Sequence, residues 1–197
     1  MTKDEKILCL AMVLGDGYIR KDCPGLRISH SPEQKDYMDW KADILEKAVG
    51  KPVTITKVVH KHSNGQEYPG YQLGISHRFF RILRNRCYRE DKPYFTRELL
   101  NKLTPKALAI WYMDDGSLYP KKRNGKIHAY ELVLSICTDE EKANIAKDYF
   151  ESVWGISFTI KRNKGLCSIR CGTIEARKFI ALVQPFVVPS LAHKVNM

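Results

Sequence analysis

Two stretches of the chain end an apolar run in an acid and a glycine. They are "LCLAMVLGDG", residues 8–17, and "LAIWYMDDG", residues 108–116. The acids are Asp16 and Asp115, each directly followed by a glycine. A pair of carboxylates supported by backbone carbonyls suits magnesium, a hard ion that seeks oxygen. Such an ion activates water and stabilises a leaving oxygen in phosphodiester hydrolysis. One Asp-Gly on its own is an ordinary turn. Two copies behind matching apolar runs point to a site, with Gly15 and Asp114 beside the acids as further metal-site candidates. The copies also separate the two adjacent aspartates: Asp115 is matched by Asp16, whereas Asp114 is matched by Gly15 and keeps an open role.

The acids need elements to hold them, and the chain supplies these twice. A helix over 3–15 leads into the Asp16-Gly17 turn, then a strand at "GLRISHS" and a helix from Pro32 to Gly50, with Ser31 as its cap. Strands follow at "PVTITKVV" and "GYQLGIS", then a helix at "HRFFRILRNRCY". The second half has a helix over 105–115, a strand at "YELVLSI" and a helix capped by Thr138 and closed by Gly155. A hairpin turns at "KG" between "SFTIKRN" and "LCSIRCG", and a last helix begins at "TIEARKF". Gly50 and Gly155 are 105 residues apart, Asp16 and Asp115 99, so the halves keep a common register. The second half carries an extra basic segment, "PKKRNGKIH", expected as a loop.

This grammar predicts an α+β fold: a duplicated αββαββα-like unit with pseudo-two-fold symmetry and two antiparallel sheets. The halves are 1–92 and 93–197, joined within 88–104, and the two motif helices are expected to form the apolar seam between them. Ala11 and Gly15 allow close helix approach there, while Asp114 makes the second copy imperfect.

Lys and Arg number 33 against 22 Asp and Glu, a net charge of +11. Such an excess fits a polyanionic partner, though charge alone does not choose between DNA and RNA. No apolar run reaches membrane-spanning length, and no signal-peptide pattern opens the sequence. The expectation is an intracellular protein of a microbe or phage-infected cell, or of an organelle matrix if encoded there. Six cysteines without a CxxC pair read as free thiols rather than a zinc site.

The two motif copies, "CLAMVLGDG" and "LAIWYMDDG", resemble those of the LAGLIDADG homing endonucleases, in the single-chain class with two motifs. Their eighth positions fall on Asp16 and Asp115, the family's metal-binding acids. The consensus aspartate of position six is absent: Leu14 and Met113 stand there. The resemblance covers nearly the whole chain. It implies a DNA-binding saddle whose two sheets each read one half of a long asymmetric target. It also implies a monomer that cuts both strands with Mg2+ (Mn2+ substituting) and leaves short 3′ overhangs. Lys92 and Lys194 correspond to lysines that point into the active site in similar members, where they neutralise phosphate or organise the attacking water. Arg27, His30, Lys57, Lys61, Gln72, Arg162, Lys164 and Arg170 are the DNA-contact candidates, of which strand alternation puts only some on the DNA face. No intein splicing blocks are recognisable, so a free-standing or intron-encoded protein is expected. Two alternatives stay open: an RNA maturase that binds its own intron RNA, and a non-catalytic sequence-specific DNA-binding protein on the same scaffold.

Overall fold

The computed structural model describes residues 1–61, 65–163 and 165–197, apart from the side chains of Lys92 and Cys137. The chain divides into two compact units. Unit one holds Met1–Tyr94 and Val188–Leu191; unit two holds Phe95–Val187 and Ala192–Met197.

Unit one opens with α1 (Lys3–Leu14), started by a capping box in which Thr2 and Glu5 satisfy each other's backbone N–H. Then come β1 (Tyr18–Ile19), β2 (Gly25–His30), α2 (Lys35–Val49), β3 (Thr54–Lys61) and β4 (Glu67–Ser76). The unit continues through α3 (Arg78–Cys87) and a short β5 (Tyr88–Arg89) and β6 (Lys92–Pro93) pair. Strands β1 to β4 form an antiparallel sheet in the order β1-β2-β4-β3. Leu26, Ile28, Leu73 and Ile75 point to the buried face, against the helices, while Arg27 and Gly74 point away from them.

Unit two contains α4 (Arg97–Leu100), α5 (Pro105–Asp115), β7 (Gly116–Arg123), β8 (Lys126–Thr138), α6 (Glu140–Trp154), β9 (Thr159–Asn163), β10 (Leu166–Gly172) and α7 (Thr173–Val183). Its sheet has the matching order β7-β8-β10-β9, also antiparallel. Its core is aromatic: Phe150 lies 4.8 Å from Phe158 and 5.8 Å from Phe179, centroid to centroid, with Trp111 at 6.3 Å. The central stretch of each motif helix is apolar and buried on every side. Residues 9–13 of α1 and 107–113 of α5 are buried without a break. The α+β class, the two antiparallel sheets and the duplicated helix-strand pattern are as the sequence predicted.

Three local expectations are corrected. Ser31 makes no side-chain capping bond; Pro32–Gln34 form a 3-10 turn and α2 starts at Lys35. Helix α6 is capped by Asp139, which accepts from Lys142 N–H at 2.9 Å, not by Thr138, which still belongs to β8. The basic segment 120–128 is no loop but the tip of the β7–β8 hairpin, with Lys121 opposite Ala129. Its turn residues Asn124 and Gly125 both have positive φ, 51° and 76°. Asn-Gly is the turn pair that twists with the strands. The end of the chain is ordered, with Pro189–Lys194 in a 3-10 turn.

Candidate metal centre and nucleic-acid face

Each motif helix ends by bending straight into a strand, and each bend depends on its glycine. In unit one, Gly17 donates its N–H to Met12 O at 2.7 Å. A Cβ on Gly17 would press into that same carbonyl and sit 3.2 Å from Leu26. In unit two, a Cβ on Gly116 would overlap the Tyr112 ring and carbonyl oxygen. The glycines of the two motifs are therefore fixed by backbone crowding, and both acids are fixed in place just before them.

Asp16 leaves the end of α1 with its side chain 41% exposed. Its Oδ2 lies 3.7 Å from Nδ1 of His30, whose own side chain is 3% exposed. His30 Nε2 is 3.0 Å from Lys41 Nζ, and Lys41 is 0% exposed. The Lys41 ammonium stands 4.3 Å from the centroid of the buried Tyr37 ring, a cation–π contact that offsets part of its desolvation. The chain beyond Asp16 is clamped as well. The Tyr88 hydroxyl accepts from Ile19 N–H at 3.2 Å and donates to Gly17 O at 3.4 Å, and Arg84 donates to Ile19 O. Burial holds the Tyr88 hydroxyl above its ordinary pKa.

In unit two, Asp114 and Asp115 are half-buried at the end of α5. Lys194 comes to the same helix end. Its Nζ donates to Met113 O at 2.6 Å, while its own carbonyl accepts from the Tyr112 hydroxyl at 2.7 Å. A cation on the last carbonyls of a helix complements the dipole there and sits next to acids the dipole disfavours. Burial raises the Tyr112 pKa, so this hydroxyl remains a donor.

Asp16 and His30 in unit one and Asp114 in unit two carry donor atoms of metal-ligating types. In the sequence, Asp114 is a metal-site candidate beside Asp115, and His30 is a DNA-contact candidate. Carboxylates that are not deeply buried fit a hard divalent ion.

The DNA-contact candidates fall on both faces of their sheets. Arg27 and Gln72 share the helix-free face of the first sheet, where Gln72 Nε2 donates to Ser29 Oγ at 3.2 Å. Arg170 lies on the helix-free face of the second. Lys57 and Lys61 have the opposite parity, on the exposed edge strand β3, and Lys61 pairs with Glu67 at 2.7 Å. Arg162 also turns to the helix side, paired with Glu140 at the start of α6, which holds the Glu140 carboxyl below its ordinary pKa. His30 follows Leu26 and Ile28 on the buried side of β2 and is 7% exposed. Lys164 lies outside the described residues; Lys92 has its backbone opposite Arg89 in the β5–β6 pair, and its side chain is outside the description.

Residues that the sequence reading missed share the open faces: Tyr18 and Tyr68 on the first, Tyr119, Lys121 and Lys161 on the second. Lys121 and Arg170 both reach Glu131, each at 3.1 Å. Period-two counting from Arg170 across the hairpin would have found Lys161; the β7 residues were lost because their segment read as loop.

Burial raises the Cys9 and Cys171 thiols to about 12, which disfavours their reactive thiolate forms. Among the described residues no helix is long and apolar enough to cross a membrane.

Two acid-tipped helices, each running through a crowded glycine into a four-stranded antiparallel sheet, define a duplicated LAGLIDADG architecture. The LAGLIDADG DNA endonuclease family profile matches residues 8–179, and the chain belongs to that family. The fold is similar to a solved structure of the homing endonuclease I-WcaI bound to its DNA recognition sequence. The TM-score is 0.84 at 23% identity, over 100% of this chain and 87% of that one. A probable intron-encoded endonuclease 1 of Wickerhamomyces canadensis is 23% identical over 199 residues, 99% of this chain and 85% of the relative. Protein RecA of Mycolicibacterium chitae is 26% identical over 203 residues, 94% of this chain. The chain spans about half the length of the RecA proteins it matches, 45% in that case.

Proposed function

We propose that the chain is a monomeric, site-specific endonuclease that hydrolyses both strands of a long asymmetric DNA target with divalent ions, leaving short 3′ overhangs. The observation that carries this reading is the pair of acids, Asp16 and Asp115, each set at the end of a buried helix before a glycine that crowding makes irreplaceable. A scaffold that only bound nucleic acid would have no use for carboxylates at helix ends, where the dipole disfavours them. Mg2+, or Mn2+ in its place, is the ion expected there. When bound, it supplies an activated water and stabilisation of the leaving 3′ oxygen.

The chain's own groups do the rest. Asp16 and Asp115 hold the ions, with the backbone at Gly15 and the carboxylate of Asp114 as neighbouring donors. Lys194, tied to the end of α5, offsets phosphate charge. Lys92 has the matching role by motif position. Arg27, Gln72, Tyr18 and Tyr68 on one open face, and Arg170, Lys121, Lys161 and Tyr119 on the other, contact the target. Lys grips phosphate, while Arg and Gln can read base edges. The W. canadensis relative's printed name favours an intron-encoded origin over a regulator built on the same scaffold.

The test is selection from a randomised duplex library. The purified chain is incubated with Mg2+, and cut ends are captured and sequenced. A single enriched asymmetric site, absent in EDTA, is the expected result; no enrichment above the EDTA background refutes the activity. Equal retention of intron-bearing RNA without any DNA cutting would favour the maturase reading instead.

A further inference from the structure

Lys41 and His30 are the two polar or charged residues found fully buried among those described, and they touch each other. Both are also placed behind the unit-one acid. Unit two builds the same frame without them. Ile19 pairs with Leu26 in unit one, as Leu118 pairs with Leu132 in unit two. Four residues past Leu26 is His30; four past Leu132 is Ile136. The left-handed caps Gly50 and Gly155 likewise close α2 and α6. Nine residues before Gly50 is Lys41; nine before Gly155 is Ala146, fully buried. Where unit two uses an Ile and an Ala, unit one buries an imidazole and an ammonium. Burying such groups is costly unless they are well partnered, and replacing them by apolar groups is often neutral or stabilising.

We infer that Lys41 and His30 are positioning residues that orient the Asp16 carboxylate for its metal ion, with His30 not itself a ligand. With Lys41 as the donor, His30 Nε2 accepts in the 3.0 Å contact. The ring proton then sits on Nδ1, on the side of Asp16 Oδ2 at 3.7 Å. An N–H on that side, at ion-pair rather than hydrogen-bond distance, biases the carboxylate electrostatically and occupies the ring nitrogen that would otherwise bind metal. This is the outer-shell logic by which a histidine and its partner orient a metal ligand, here with the carboxylate as the ligand. At the end of α5, Lys194 donates to the Met113 carbonyl. The inference rests on the metal-holding role proposed for Asp16.

The test is Mn2+ binding to the full chain, with free ion read by electron paramagnetic resonance. The set is wild type, Lys41→Met, His30→Phe/Lys41→Met, Asp16→Asn, and Asp16→Asn combined with Lys41→Met. Lys41→Met is expected to weaken Mn2+ binding about tenfold, the usual effect of losing an outer-shell partner. The double apolar variant, which keeps the space filled and removes both members of the contact, should weaken it equally. In the Asp16→Asn background, Lys41→Met should change nothing further. Unchanged or tighter binding in Lys41→Met overturns the inference, since freeing Nε2 lets His30 turn its lone pair to the metal. An equally large loss in the Asp16→Asn background also overturns it, by showing a general structural effect. Wild type binding no Mn2+ that Asp16→Asn loses would remove the metal reading of Asp16 itself, a separate and visible failure.

Discussion

Replacing Gly116 by alanine should damage the fold and the site together, by an amount the geometry bounds. The new methyl would overlap the Tyr112 ring and lie against the Tyr112 carbonyl. A flexible side chain could swing away, but this ring is held at both ends. Its hydroxyl donates to Lys194 O at 2.7 Å, and its face meets the edge of Phe179 at 5.1 Å between centroids. The carbonyl belongs to the last turn of α5 and accepts the Gly116 N–H. Relief therefore has to come from moving the end of the helix. Overpacking of a close-packed site costs about 1–3 kcal/mol, and two rigid neighbours put this case at the upper end, about 3 kcal/mol. For a chain of this size each kcal/mol is worth roughly 2–4 °C, so the melting temperature should fall by about 6–12 °C. Gly172, the N-cap of α7, has nothing within 4 Å of its virtual Cβ, so Gly172→Ala serves as the control and should cost only the cap preference, about 1 kcal/mol or less. Denaturant unfolding followed by circular dichroism measures both. Because the same shift displaces Asp115 and Lys194, Gly116→Ala should also lose cleavage at temperatures where it remains folded. A Gly116→Ala variant as stable as the Gly172→Ala control would refute the crowding argument for the motif glycines.

Tyr88→Phe removes the hydroxyl that bridges Gly17 O and Ile19 N–H and should cost about 1 kcal/mol, seen as a lower urea midpoint at unchanged slope. Lys122 and Arg123, exposed at the β7–β8 tip, are expected to meet phosphate; changing both to Gln should reduce the slope of log affinity against log salt by about 1.8, and an unchanged slope would remove them from the interface. Glu131 is partly desolvated, which pushes its pKa up, but the Lys121 hydrogen bond and Arg170 outweigh that and leave it lowered. A lowered carboxyl stabilises the fold above its unfolded value, about 4.3, and loses that contribution as pH falls through the folded value. Glu131→Gln should accordingly flatten the acid side of the melting-temperature profile, and an unaltered acid limb would contradict the assignment.

The architecture was legible in the sequence because its signals are local and repeated. Apolar runs closed by Asp-Gly, alternating strands, and helices ending at Gly50 and Gly155 all announce themselves within a few residues, and the second copy checks the first. The β7–β8 hairpin was missed because charge outweighed the Asn124-Gly125 pair in reading that segment. Asp139 lost to Thr138 as a cap by one residue, a boundary that pattern alone seldom fixes. The candidate site was half legible. Motif position gives Asp16 and Asp115, but what stands behind them depends on contacts between distant parts of the chain. His30 read as a groove residue because a polar strand residue normally faces out. Its true side follows from the parity of Leu26 and Ile28, and its partner Lys41 hides on a helix whose other lysines are solvated. Lys194, eighty-one residues from Met113, could be named by resemblance, yet its bond to that carbonyl is a tertiary fact.

The most direct test of the account is strand cleavage by the wild-type chain, Asp16→Asn and Asp115→Asn on the duplex recovered by selection, with binding to the same duplex measured in Ca2+. Wild type should convert the duplex to two fragments only when Mg2+ or Mn2+ is present, and each variant should bind about as tightly yet leave the DNA intact. Cleavage by either variant at the wild-type rate, or wild-type cleavage that persists in EDTA, would contradict the proposed metal centre.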